Sequence, residues 1–134
     1  MPTNGEIVLD TSVAVAHLRG VSGITGRLAA HEFLHLPLIA LGELHYGIQR
    51  SQNQEKNLIT LQAWLRIVLI LPIDKNVCME YGQIKSELAK AGTPIPENDI
   101  WIAACAKCHK LPLAARDDHF LHVKGLNLLD WTDK

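Results

Sequence analysis

Short apolar runs alternate with stretches of helical periodicity along the whole chain. Glu6–Leu9 is a β-rich run that stops at Asp10, and Thr11 or Ser12 can cap a helix reaching about Leu18. Gly20 and Gly23 mark a turn before a second short helix from Ile24 to about Ala30. Phe33–Ile39 is apolar, and Pro37 argues for a strand end or an edge position there. Ala40–Gln49 reads as a helix. Asn53–Arg66 is amphipathic, with Leu58, Leu61, Trp64 and Leu65 on one face. Val68–Leu71 is a strand, and Lys75–Lys90 a helix stopped by Ala91–Gly92. After the stiff connector Thr93–Pro94–Ile95–Pro96, Asn98 is placed to cap a helix from Asp99 to about His109. Leu111–Ala114 and Leu126–Leu129 are strands, with a turn or short helix at Asp117–His122 between them.

Strands alternating with helices predict an α/β fold: a three-layer α/β/α sandwich around a mostly parallel sheet. The active crevice of such a sheet lies beyond the carboxyl ends of its strands. No repeat or linker interrupts the pattern, so residues 1–134 are expected to form one domain.

Composition narrows the picture. The formal net charge is −1, so no global basic field announces a nucleic-acid binder. Any such contact has to come from a local patch, drawn from Arg19, Arg27, Arg50, Arg66 and Arg116. Three cysteines do not make a disulfide framework. No signal peptide is expected, and the apolar run around Ile67–Leu71 is too short to span a bilayer, so a soluble, cytoplasmic protein is expected.

The candidate chemistry is acidic. Asp10 ends the first strand, and Asp117 follows the strand that begins at Leu111, at the same edge of the sheet. Asp99 opens a helix, and Glu43 lies near the start of another. Each has an ordinary structural use: Asp10 and Asp99 as helix-start residues, Glu43 as a solvated carboxylate, Asp117 and Asp118 as turn residues. Their common edge carries the argument. Carboxylates a few ångströms apart repel by a few kcal/mol, which a divalent cation relieves, and oxygen ligands select Mg²⁺ or Mn²⁺.

The segment Ile7–Val8–Leu9–Asp10–Thr11–Ser12 resembles the opening of PIN domains. Leu41–Gly42–Glu43–Leu44 is similar to the second motif of that family, and Asn98–Asp99–Ile100–Trp101–Ile102–Ala103–Ala104 to the third. Arg116–Asp117–Asp118–His119–Phe120 resembles the fourth, and Gly125–Leu126 with Leu129–Asp130–Trp131 the tail. The order and the coverage are those of the family, and the set most resembles the bacterial VapC toxins. That resemblance implies that Asp10, Glu43, Asp99 and Asp117 are catalytic, metal-binding carboxylates. It implies an endoribonuclease that hydrolyses RNA phosphodiesters with metal-activated water. It also implies a cognate antitoxin covering the acidic crevice with a basic side chain, and a homodimer built on helices. Ile48, Leu58 and Trp64 are candidates for exposed apolar surface. Ala115 departs from the pattern, because the family often has Thr or Ser two residues before the fourth acid.

Rival readings remain. Cys105–Ala106–Lys107–Cys108–His109 spells the c-type haem attachment pattern, which would make an electron carrier. His119 and His122 with Asp117 or Asp118 have a spacing that suits zinc. A PIN-like module with idle acids would only dock partners.

Overall fold

The computed structural model describes residues 5–132. Five strands, β1 (Glu6–Leu9), β2 (Phe33–Pro37), β3 (Val68–Leu71), β4 (Leu113–Ala115) and β5 (Leu128–Asp130), form one sheet in the order β3-β2-β1-β4-β5. Every pairing is parallel, so the expected mostly parallel sheet is parallel throughout. Among the described residues six helices flank it: α1 (Thr11–Leu18), α2 (Ser22–Ala29), α3 (Leu38–Gln49), α4 (Gln54–Trp64), α5 (Lys75–Ala91) and α6 (Glu97–His109).

The chain first builds outward from β1 through β2 to β3. Helices α5 and α6 then carry it back across the sheet to β4, on the other side of β1. Right-handed crossovers in opposite directions put α1–α4 on one face and α5–α6 on the other. The reversal falls between β1 and β4, the position where open α/β sheets form a crevice. The core lies on both faces of β1, where Ile7, Val8 and Leu9 are fully buried. Small residues in α6 (Ala103, Ala104, Ala106), all fully buried, let that helix approach closely.

Several boundaries differ from the sequence pattern. Asp10, rather than Thr11 or Ser12, is the N-cap of α1, its carboxylate accepting from the Ser12 amide. Helices α3 and α6 start earlier than expected, directly behind Pro37 and Pro96, whose fixed φ suits entry into a helix. Asn98 therefore sits inside α6 instead of capping it. Helix α4 stops at Trp64 and a 3-10 turn, Leu65–Ile67, leads into β3. Strands β4 and β5 begin two residues later than the apolar runs suggested. Gly92, at φ 73°, closes α5 in the left-handed conformation. Trp64 is only 6% exposed, so it belongs to the core and supplies no partner surface.

Candidate active site

The site is built by strand register. Leu9 pairs with Ala114, and the Asp10 amide donates to the Ala114 carbonyl at 2.9 Å. That contact carries Asp10, just past β1, and Asp117, in the loop after β4, to one end of the sheet. Asp99 arrives in the first turn of α6 and Glu43 in the second turn of α3, and these two helices touch.

The four acids are unequal. Asp10 is only 2% exposed and Asp99 9%, whereas Glu43 and Asp117 are half-buried. Asp118 is exposed, and its side chain makes no capping bond to the 3-10 turn that follows. Asp117 caps that turn instead, accepting from the His119 amide at 3.1 Å. The His119 ring joins the acids: its Nδ1 stands 2.8 Å from Asp99 Oδ2 and 3.4 Å from Asp117 Oδ1. One ligand atom from each of Asp99, Asp117 and His119 lies within 4.8 Å of the other two. Asp10 and Glu43 flank this group. His122 does not enter it, so the arrangement is not the His119–His122 zinc pair that the spacing suggested.

Neutral side chains hold the flanking acids. The Ser12 hydroxyl donates to Asp10 Oδ2 at 2.6 Å and accepts from the Arg116 amide at 3.1 Å. It thus ties Asp10 to the loop that carries Asp117. Ala115 is fully buried with no hydroxyl to offer, and Ser12 supplies a hydroxyl contact to the residue after it. Glu43 accepts from the Thr11 hydroxyl and, at 3.2 Å, from Asn98 Nδ2. These roles of Thr11, Ser12 and Asn98 were missed in the sequence, where all three looked like helix caps. Their adjacency to Asp10 and Asp99 was the only signal.

Burial pushes the Asp10 carboxyl up from its ordinary 3.8 to about 7, aided by the nearby charges of Asp117 and Asp99 and opposed by the Ser12 hydrogen bonds. Burial also raises Asp99, with Asp117 and Glu43 adding to the effect and His119 opposing it. His119 is raised by its hydrogen bond to Asp99. The site therefore favours positive charge at its centre. The donor set fits a hard divalent cation: mostly carboxylate oxygens, two of them buried and disfavoured as bare anions.

The haem pattern has no place in this arrangement. Cys105 is 0% exposed within α6, and burial pushes its thiol up to about 12. A haem vinyl group cannot reach it. Among the described residues no helix is long and apolar enough to cross a membrane.

The PIN domain family model matches residues 7–126. Ribonuclease VapC1 of Haemophilus influenzae (strain R2866) is 28% identical over 134 aligned residues, covering 93% of this chain and 97% of the relative. The tRNA(fMet)-specific endonuclease VapC of Shigella flexneri is 33% identical over 95 residues, covering 70% of this chain and 72% of the relative. Among solved structures, the DNA-bound VapBC from Salmonella typhimurium superposes with a TM-score of 0.87 at 26% identity, over 95% of this chain and 98% of that one.

Proposed function

From the premise that the chain belongs to the PIN-domain family and, within it, to the VapC ribonucleases, we propose that it is a Mg²⁺- or Mn²⁺-dependent endoribonuclease whose carboxylates Asp10, Glu43, Asp99 and Asp117 hold the metal. The observation that carries this reading is the convergence of these acids at the switch between β1 and β4, with Asp10 buried and its carboxyl raised to about 7. A bound divalent cation would neutralise the acids, acidify a water and stabilise charge building on the phosphoryl oxygens. The chain's own residues do the rest. Ser12 fixes Asp10 against the Asp117 loop, and Thr11 and Asn98 aim Glu43 at the same space. His119 sits beside Asp99 and Asp117, where its ring can also meet a phosphate oxygen.

On this reading residues 1–134 act as one nuclease domain in the cytoplasm. The protein is the toxin of a type II toxin–antitoxin pair, kept inactive by a small antitoxin that puts a basic side chain into the acidic crevice. A homodimer belongs to the same reading, and sedimentation at rising concentration tests it. Exposed side chains such as Ile59, Ile67 and Met79 offer apolar surface where Trp64 does not.

The test is cleavage of purified RNA. Products should accumulate with Mg²⁺ or Mn²⁺ and cease in EDTA. Cleavage undiminished by chelator would refute the metal mechanism. No cleavage with any divalent ion would favour a PIN-like module that only docks partners.

A further inference from the structure

Of the five arginines that are candidates for phosphate contacts, Arg66 lies exposed in the Leu65–Ile67 turn away from the groove beside Glu43, and the structure separates the other four. Arg27 lies over the Trp131 ring, with its carbon 5.5 Å from the centroid, and the Nε of Arg116 is buried. Arg19 and Arg50, in contrast, line one groove of about 850 Å³ that begins at Glu43. Among the described residues neither is ion-paired to a carboxylate. The same groove holds Tyr46, 62% exposed, with the Arg50 guanidinium 4.8 Å from its ring centroid.

We propose that this groove, from Glu43 past Tyr46 to Arg50, seats the RNA strand on one side of the cut, with Tyr46 stacking on a base and Arg19 and Arg50 holding phosphates. The inference rests on the RNA-cleaving reading above and adds where the substrate lies. Helix geometry sets the spacing. Tyr46 lies three residues after Glu43 on α3, and Arg50, the C-cap of that helix, lies seven after Glu43 on the same face. At about 1.5 Å per residue, Tyr46 is about 4.5 Å and Arg50 about 10 Å along the axis from Glu43. A stacked strand rises about 3.4 Å per nucleotide and an unstacked one more, so the run spans at most about three nucleotides. A phosphodiester centred on the acids thus brings its neighbours over the tyrosine and then the arginine.

Single-stranded RNA suits this surface because unstacked bases find aromatic faces and arginine planes, while phosphates find the guanidinium charge. Two arginines beside an acidic centre, neither ion-paired to a carboxylate among the described residues, also give the local basic patch that a chain of net charge −1 needs. The floor is open: Gly42 and Gly47 line the groove, and a Cβ at either would meet nothing within 4 Å. A side chain at either position would start into open space and project into the groove.

The test measures binding of a fluorescein-labelled 12-nucleotide single-stranded RNA in EDTA, alongside cleavage of the same RNA by the wild-type protein with Mg²⁺. Tyr46→Ala should weaken binding about tenfold, and Tyr46→Phe should restore it to within about twofold. Arg50→Ala should weaken binding and lower the log–log salt slope by about 0.7, the share of one single-strand phosphate. Gly47→Leu should weaken binding without lowering the melting temperature, since Leu suits the interior of α3 better than Gly does. Unaltered affinity in Tyr46→Ala and Arg50→Ala, in a wild-type protein that cleaves RNA, would overturn the inference and leave the nuclease reading standing. Loss of antitoxin inhibition in these variants with RNA affinity intact would assign the groove to the antitoxin and overturn it equally. A wild-type protein that cleaves no RNA would instead reject the nuclease reading itself.

Discussion

Replacing Asp10 by Asn should stabilise the metal-free protein, and by an amount that depends on pH. The carboxyl is held at about 7 in the folded chain against 3.8 ordinarily. Between those values the folded protein keeps a proton that the unfolded chain has lost. Stability then falls as pH rises, by about 1.4 kcal/mol per pH unit, and the decline ends once pH passes the folded value. From pH 4 to pH 7 the whole effect is about 4 kcal/mol. Asn carries no charge, and its amide oxygen can accept the same hydrogen bonds from the Ser12 amide and hydroxyl. In EDTA the variant should therefore match wild type near pH 4 and exceed it by up to about 4 kcal/mol at pH 8. For a chain of this size that is a gain of roughly 15 °C in Tm at most. Urea titrations at pH 5, 6, 7 and 8 give the difference directly. Mg²⁺ at a hundred times its Kd should then raise wild type by about 2.7 kcal/mol and the variant by much less. The reasoning fails if the difference is flat with pH, or if the variant is less stable at pH 8. Either result would make Asp10 chiefly a helix cap.

The other predictions concern residues in and around the acid cluster. Asp117→Asn should cut RNA cleavage at least about tenfold, roughly 1.4 kcal/mol of transition-state stabilisation, while the exposed Asp118→Asn changes it little; the reverse order in a cleavage assay would move the fourth acid by one residue. Ser12→Ala removes a hydroxyl that serves both Asp10 and the Arg116 amide, so it should cost about 1–3 kcal/mol in urea unfolding, with the larger loss at pH 8 than at pH 5. A loss independent of pH would mean that Ser12 does not solvate the Asp10 charge. Asn98→Ala should leave the length of α6 unchanged by circular dichroism yet reduce cleavage, because its amide holds Glu43 rather than the helix end; a drop in helicity would restore the capping role.

Much of the frame was legible in the residues. β1 and β3 fall where the apolar runs lie, Pro37 closes β2, and Gly92 stops α5. Asp10, Asp99 and Asp117 could be placed because each sits at or beside the end of an element, and in a parallel sheet those ends share one edge; Glu43 lies a turn inside α3. The supporting contacts were not legible, because local pattern reports one element at a time. Thr11 and Asn98 looked like caps, yet they meet Glu43 from 32 and 55 positions away. Periodicity put Trp64 on an apolar face without saying whether a neighbour covers it, and that face is buried. The Cys105–His109 motif looked like a haem attachment pattern only because spacing carries no information on depth, and Cys105 is buried.

The bond from the Arg116 amide to Ser12 joins positions 104 residues apart, and β4 must lie against β1 before it can form. At a synthesis rate of about 5–20 residues per second, the second half of the site leaves the ribosome roughly 5–20 s after the first. Until then Asp10 has no Asp117 beside it, and the crevice does not exist. The strand order thus acts as a clock. On the nuclease reading, a growing chain would carry no assembled acid cluster past the RNA that is producing it until β4 and the loop after it had emerged.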